Sequence, residues 1–289
     1  MWFYYALGFA ILSSFGTVIA KNILKDSDEF SYTLFGLIAI LPFLLLIILF
    51  AYGIPKVDGI FIRAVLVATV LDATAMFLIA RAIKLSQISL INPITAFNPV
   101  FTAIISYFTL SEKITTKGGI GILLVVLGAY LLQVKKSEKG IFVPIKALLN
   151  HQGVRYALIV SLLWAVTPTL QKTAILHTIP KVPPFASFAG LVASTLIYIP
   201  LTAKFSKKPF EILRRHLKAF LLFGFLGGLS QFFAFMAISL THLGYATAVY
   251  KLSILFTVIL GWLFFKERNI KEKLLGSTVM LMGVILLTR

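Results

Sequence analysis

Cysteine is absent from this chain of 289 residues, and charged side chains make up only 13% of it. Without a thiol there is no disulfide, no thiolate metal site and no cysteine nucleophile. The four histidines, His151, His177, His216 and His242, fall in predicted loops or at helix ends and lack the spacing of a metal motif. No glycine-rich ATP-binding loop is present. We therefore predict no cofactor, no metal site, no catalytic residue and no ATP-driven activity.

An enzyme that works inside the membrane is disfavoured for similar reasons. The predicted spans carry no pair of aspartates, no HExxH and no serine and histidine together at depth. An intramembrane hydrolase or lipid transferase needs one of these sets to activate water or a nucleophile. We predict that the protein is not an enzyme.

What the chain has in abundance is apolar residues, at 59%. Soluble domains contain roughly 45–50%. Ten apolar stretches each approach the ~20 residues that a helix needs to cross the hydrocarbon core. The sequence thus predicts a multi-pass protein of the cell membrane. The stretches are 2–20, 31–53, 60–82, 87–109, 116–133, 154–176, 183–203, 217–240, 244–265 and 270–288.

The net charge of +17 lies mainly in short loops beside these spans. Anionic lipid head groups are therefore the predicted partner, and nucleic acid is not. Nineteen Lys and Arg fall on the side of the loops after spans 1, 3, 5, 7 and 9, and seven fall on the opposite side. Positive residues concentrate on the cytoplasmic side, so this count predicts both termini outside.

The two halves of the chain resemble each other. A shift of 155 residues places Phe101 on Phe256, Glu112 on Glu267 and Gly121 on Gly276, and a shift of 151 places Lys21 on Lys172. The predicted domains are a first repeat at 1–133, a linker at 134–153 and a second repeat at 154–289. Five spans per copy reverse the orientation of the second copy, which is the inverted repeat of many secondary transporters.

We expect a hydrophilic loop for Ile141–Leu149, with a segment lying on the membrane surface as the alternative. For Phe205–Lys218 we expect a solvated loop.

Two stretches carry a family resemblance. Residues 86–132 contain a proline-bearing helix, a Glu-Lys at its end and then a glycine-rich helix, and residues 241–287 end FFKERNIKEKLLGSTVMLMGVILL. This pattern resembles the EamA family of the drug/metabolite transporter superfamily. The resemblance implies ten helices in two inverted five-helix repeats around a central cavity, transport of small metabolites by alternating access, and cytoplasmic termini. Trp164 matches the tryptophan usual in the first helix of a repeat, which makes it a candidate for the aromatic wall of the substrate pocket, whereas the first copy has Ser13 there.

Asp72 is the acidic residue deepest in any predicted span. A charge at that depth is costly by at least ~2.5–3.5 kcal/mol on insertion scales, so we expect it to face a cavity or a cation. It is either a proton-carrying or cation-binding group or a purely structural one.

Lys251 lies within span 9, about 7–8 Å from the depth of Asp72 at a rise of 1.5 Å per residue. Four roles stand open for it. It neutralises Asp72, holds an anionic group of the substrate, forms a structural pair, or extends to the membrane surface.

Four further residues complete the predicted substrate-binding and coupling set. Lys21 and Lys172 are repeat equivalents near opposite mouths of the cavity, where they either attract anions or extend to the interface. Gln231 in span 8 and Asn98 in span 4 carry amides that need internal partners or a wet cavity. Span 4 also contains Pro93 and Pro99, which predict a kink.

The function predicted from these features is secondary transport or exchange of a small polar metabolite, either amino acid-like or anionic such as a sugar phosphate. Asp72 offers a group for proton coupling. A flippase for lipids or lipid-linked sugars is the alternative that the same fold supports.

Overall fold

A computed structural model describes residues 1–86, 88–133, 143–265 and 270–288. Nearly all of them are helical. The helices are α1 Trp2–Ile23, α2 Glu29–Ala51, α3 Gly59–Leu85, α4 Ile88–Thr95, α5 Asn98–Leu110, α6 Thr116–Gln133, α7 Val143–Asn150, α8 Gln152–Leu176, α9 Pro183–Phe205, α10 Pro209–Arg215, α11 Leu217–Leu240, α12 Leu243–Tyr250, α13 Leu252–Phe265 and α14 Ile270–Thr288. Two short strands, β1 Lys56–Val57 and β2 Thr178–Ile179, pair antiparallel.

Within the described ranges, nine apolar helical segments are long enough to cross a bilayer, and a shorter one covers Leu275–Thr288. The prediction of an all-α membrane protein is confirmed to this extent. We call face A the end of the bundle where α1 begins and where the loops 52–58, 111–115, 177–182 and 241–242 lie. Face B is the opposite end, with the loops 24–28 and 206–216.

Two spans are broken near their middles. Span 4 divides into α4 and α5 at Ala96–Phe97, as its prolines predict. Span 9 divides into α12 and α13 at Lys251, where the sequence shows no proline or glycine. The shift of 155 residues places Ala96 on Lys251, so the two breaks occupy equivalent positions in the two halves.

Two loop expectations need correction. Residues Val143–Asn150 form helix α7, which packs against α4 and α8, so the expected hydrophilic loop is helical there. Residues Pro209–Arg215 form helix α10 within the expected solvated loop. Proline stands in the first turn of both helices, where its missing N–H costs no hydrogen bond.

Helices α6 and α14 pack through glycines at close range. A Cβ added to Gly128 would lie 2.6 Å from the carbonyl oxygen of Gly276, and one added to Gly283 would lie 2.7 Å from that of Gly121. Since Gly276 and Gly283 are the repeat equivalents of Gly121 and Gly128, the contact is reciprocal. Small residues of this kind let membrane helices approach closely.

Candidate transport pathway

A cavity of about 100 Å³ lies in the half of the bundle nearest face A. We call it the face-A cavity. Helices α3, α8, α9 and α11 supply its walls. Its lining residues are Val65, Ala68, Thr69, Asp72, Gln171, Ala174, Ala186, Ser187, Gly190, Leu191, Ser194, Gln231 and Phe235. Six of these thirteen carry polar side chains, so the cavity suits a polar occupant.

Asp72 reaches the face-A cavity from the middle of α3. Thr167 Oγ1 on α8 donates to Asp72 Oδ1 at 3.1 Å. No lysine or arginine among the described residues lies within the 4.0 Å of an ion pair with this carboxylate. The proposed neutralisation of Asp72 by Lys251 is therefore not seen in this conformation.

The amides and hydroxyls around Asp72 are only partly engaged. Ser187 Oγ donates to Gln231 Oε1 at 3.2 Å. The side chains of Gln171 and Ser194 make no hydrogen bond within the described part of the chain. Since unpaired polar groups are costly in a dry interior, these two are available to water or to a ligand.

A second cavity of about 320 Å³, the face-B cavity, lies in the other half of the bundle. Helices α1, α2 and α11 line it, and its polar residues are Ser13, Thr17, Tyr32, Ser230 and Gln231. Gln231 lines both cavities. Gln231 lies near the middle of α11, so the two half-cavities share a lining side chain at about half the length of that span.

Lys251 bridges the two broken spans. Its Nζ donates to the Thr95 carbonyl at 3.1 Å. In an unbroken helix that carbonyl would accept from the N–H of residue 99, which is proline and has none. Lys251 supplies the missing donor at the end of α4, where a positive charge is also favoured by the helix dipole. It is not among the residues lining either cavity.

Lys172 is held inside the protein near face A rather than extending to the membrane surface. Its Nζ lies 2.5 Å from Glu112 Oε1 and donates to the Thr241 carbonyl at 2.7 Å. Glu112 Oε2 in turn accepts from the Leu243 N–H at 2.7 Å. This cluster ties the end of α5 to α8 and to the α11–α12 junction. The side chain of Lys21 and the whole of Glu267, the sequence equivalents of Lys172 and Glu112, lie outside the described residues.

The two remaining candidates stand outside the cavities. Asn98 Nδ2 donates to the Ser161 carbonyl at 3.1 Å and so joins α5 to α8. Trp164 is half-buried on α8 and lines neither cavity, whereas its sequence counterpart Ser13 lines the face-B cavity.

Face A is bridged by a loop from each half of the chain. Lys56 and Val57 pair with Ile179 and Thr178 in the β1–β2 ladder. Asp58 Oδ2 lies 2.7 Å from His177 Nδ1. The backbone N–H of Phe61, helped by His177, lowers the pKa of Asp58.

Beneath this ladder the rings of Phe61 and Phe185 stack at 5.7 Å. Val65 and Ala186 line the face-A cavity. Phe61 lies one helical turn before Val65, and Phe185 directly precedes Ala186. The strand pair and the ring pair therefore cover the face-A end of that cavity.

Face B is bridged in a similar way. Asp28 Oδ2 accepts from Ser206 Oγ at 2.7 Å and from Ser31 Oγ at 2.8 Å. Although burial acts to raise the pKa of Asp28, its hydrogen bonds outweigh this and lower it. Asp26 lies 3.3 Å from Arg215 NH1.

Several of these partners escape sequence reasoning. Gln171, Ser194 and Thr167 are single polar residues in otherwise apolar spans, and their hydrogen-bonding role depends on which neighbour they meet. Of these three, only Gln171 is adjacent in the chain to a residue that the sequence analysis names as a candidate, Lys172.

The long apolar helices of the described residues, packed around two internal polar cavities, define a multi-pass membrane protein. The sequence matches the EamA-like transporter family over residues 1–134 and 151–289, so the chain belongs to that family, whose members are transporters and not enzymes. An uncharacterised protein of Methanocaldococcus jannaschii is 27% identical over 126 residues, which span 43% of this chain and 90% of that protein. A protein crystal structure superposes with a TM-score of 0.75 at 14% identity, covering 98% of this chain and 97% of the other. At that identity the likeness shows the fold alone.

Proposed function

We propose that the protein is a secondary transporter that moves a small polar metabolite by alternating access, through ten spans arranged as two inverted five-helix repeats around a central pathway. The observation that carries the proposal is the pair of half-cavities that meet at Gln231. Each half-cavity is covered at its own face by loops from both halves of the chain. Opening one face while the other stays bridged would expose the same central point to the two sides in turn.

The inverted arrangement is supported by how the halves meet. Helices α8, α9 and α3, together with α11, wall the face-A cavity, and the repeat equivalents of the first three, α1, α2 and α11, wall the face-B cavity. The reciprocal glycine contact of α6 with α14 is what a two-fold axis between equivalent helices produces. The relative from Methanocaldococcus jannaschii is about half as long as this chain, as a single repeat would be.

Accessibility to a water-soluble reagent tests this proposal without a known substrate. Since the chain has no cysteine, Ser194→Cys and Thr17→Cys each create one reporter, in the face-A and the face-B cavity respectively. In sealed proteoliposomes of defined orientation, a membrane-impermeant maleimide should label the two reporters from opposite sides. Leu66→Cys on the exposed surface of α3 serves as the lipid-facing control. Labelling of both reporters from one side only, or of neither, would rule out alternating access. The same data in whole cells decide which face is cytoplasmic.

Proton coupling belongs to the proposal through Asp72. A carboxylate without a cationic partner at this depth is stabilised when it binds a proton or a cation. We expect substrate uptake by Asp72→Asn to be independent of an imposed proton gradient, when uptake is measured at substrate concentrations that compensate for any loss of affinity. Unchanged accumulation in a variant that inserts normally would remove the proton from the mechanism.

A lipid flippase is the second candidate, because one groove opens on the outside of the bundle. It has a volume of about 590 Å³, lies between α5 and α6, and is apolar apart from Tyr107 and Lys113. An acyl chain fits such a groove, and Lys113 at face A could contact a head-group phosphate.

Two glycines distinguish the candidates, since a Cβ at Gly190 in the face-A cavity or at Gly119 in the outer groove meets no heavy atom within 4 Å. If lipids are the substrate, Gly119→Val should slow the movement of a fluorescent phospholipid between leaflets and Gly190→Val should not. No lipid movement by the wild-type protein would exclude the flippase.

A further inference from the structure

We infer that the face-A cavity binds its substrate through a positively charged ammonium group that pairs with Asp72, so that the carrier selects small organic cations over anions. This inference rests on the proposed transport function and narrows its substrate class. It is drawn from the charges and the uncommitted polar atoms of the cavity.

Charge is the first consideration. Asp72 is the charged residue among those lining the cavity. Lys172 and Lys251 are both engaged elsewhere, since Lys172 binds Glu112 and the Thr241 carbonyl, and Lys251 binds the Thr95 carbonyl. Among the described side chains no cation lines the cavity, so an anionic substrate would meet the like charge of Asp72 with nothing there to offset it, which costs several kcal/mol at a dry interface.

The oxygen atoms around Asp72 fit the hydrogen-bonding needs of an ammonium group. Such a group has three donors and no acceptor. Thr167 donates to Asp72 Oδ1, and Asp72 Oδ2 accepts no hydrogen bond in the described structure. Gln171 and Ser194 have oxygens without a partner and line the same cavity. Asp72, Gln171 and Ser194 thus bring acceptors from three helices, α3, α8 and α9, to the lining of one cavity.

The remaining walls complete the match. Phe235 lines the cavity from α11, and the face of an aromatic ring attracts a cation. The volume of about 100 Å³ lies below the roughly 300–1,000 Å³ of sites for drug-sized ligands. A compact amine with a polar tail is the ligand that these dimensions admit.

Three two-carbon probes of similar size test the inference. Ethanolamine is cationic, ethylene glycol is neutral and glycolate is anionic at neutral pH. Binding to the full-length protein in detergent is measured by titration calorimetry and thermal shift, with potassium as the only added metal ion. We expect ethanolamine to bind, glycolate to bind at least about tenfold more weakly, and Asp72→Asn to lower the ethanolamine affinity by about tenfold or more. Glu29→Gln makes the same chemical change at an exposed carboxylate near face B and should leave binding unchanged.

The inference is overturned if glycolate binds as well as ethanolamine, if ethanolamine does not bind, or if Asp72→Asn leaves its affinity intact. Should that variant fail to fold, the order of the three probes on the wild-type protein decides the question alone. Failure here is separate from failure of the proposed function. Ethanolamine binding at Asp72 without opposite-sided cysteine labelling would leave a cation site but no carrier, and the reverse would leave a carrier for another substrate class.

Discussion

Single side chains decide how the polar groups of this membrane protein are satisfied. Glu112 is 6% exposed and accepts from both Lys172 and the Leu243 N–H, so one carboxylate joins three helices near face A. Lys251 replaces a backbone donor that Pro99 lacks. Asp72 differs from both, because one of its oxygens stays free toward a cavity. We interpret a charged side chain whose polar atoms all have protein partners as structural. A charged side chain with a free polar atom facing a cavity is interpreted as a ligand-binding group.

Glu112→Gln should destabilise the protein strongly, because the Lys172 side chain is only 15% exposed and its charge would lose its counter-ion. Breaking one partner of a buried pair costs about 3–5 kcal/mol. Thermal unfolding in detergent measures the loss. Glu211→Gln removes the same charge from the exposed pair with Lys208 and should have little effect. Equal losses in the two variants would contradict a structural role for the Glu112 cluster.

At the scale of helices, the two halves are joined at three equivalent sets of elements. The breaks in spans 4 and 9 face each other through Lys251, α6 packs on α14 through glycines, and the loops at each face meet in pairs. Two of these contacts, the Lys251 bridge and the glycine packing of α6 on α14, predict measurable changes in the free energy of unfolding.

Lys251→Met should cost about 1–3 kcal/mol, the penalty of an unsatisfied buried acceptor, because the Thr95 carbonyl then loses its donor. Pro99→Ala restores the N–H that this carbonyl would accept in a continuous helix. In the Pro99→Ala background the Lys251→Met change should therefore cost less. A double-mutant cycle on unfolding free energies detects this coupling, and strict additivity of the two changes would refute the bridging role of Lys251.

Gly128→Ala should destabilise the α6–α14 contact by about 1–3 kcal/mol, as overpacking does elsewhere, because the added methyl would lie 2.5 Å from the backbone nitrogen of Met280. Gly119→Ala on the same helix is the matched control, since its methyl meets nothing within 4 Å. Thermal unfolding should separate the two variants clearly. A Gly119→Ala protein that is as unstable as Gly128→Ala would contradict the packing explanation, because helix propensity favours alanine over glycine at both positions.

At the scale of the whole molecule, the bridged faces set the two ends of the pathway. Face A is bridged by the β1–β2 ladder and face B by Asp28, Ser31 and Ser206. At each face the contact joins one loop from the first half of the chain to one loop from the second half. Relative motion of the two halves must therefore break these contacts. Covalent links at the two faces should therefore act as independent locks.

Val57→Cys with Thr178→Cys should form a reversible lock on face A. The residues are directly paired, and Cα atoms in such a ladder are about 4.5–5.5 Å apart, within the range of a disulfide. Ser31→Cys with Ser206→Cys offers the same on face B, since the hydroxyls are 2.7 Å apart.

Each lock should prevent maleimide labelling of the reporter in its own cavity, at position 194 or 17, and leave the other reporter reactive. Peptide mass spectrometry reads the two sites separately, and reduction of the disulfide should restore labelling. A lock that protects both reporters equally, or neither, would argue against two separate gates.

The sequence by itself determined the membrane class, the nearly complete set of spans, the break at Pro99 and the family, because hydrophobic length, proline and repeated motifs act locally along the chain. It also singled out Asp72 and Gln231, since a charge or an amide in an apolar span needs an explanation wherever the helix lies. It missed the helices at 143–150 and 209–215, whose short apolar faces are stabilised by neighbours.

Only the tertiary structure decided which polar groups meet. Lys251 and Asp72 looked like partners at similar depth, but a helix at a given depth can turn a side chain in any direction around its axis. Packing turned Lys251 toward the carbonyl freed by Pro99 and left Asp72 facing a cavity with Gln171 and Ser194. Depth is a property of the sequence, whereas rotation about the helix axis is fixed by contacts between helices far apart in the chain.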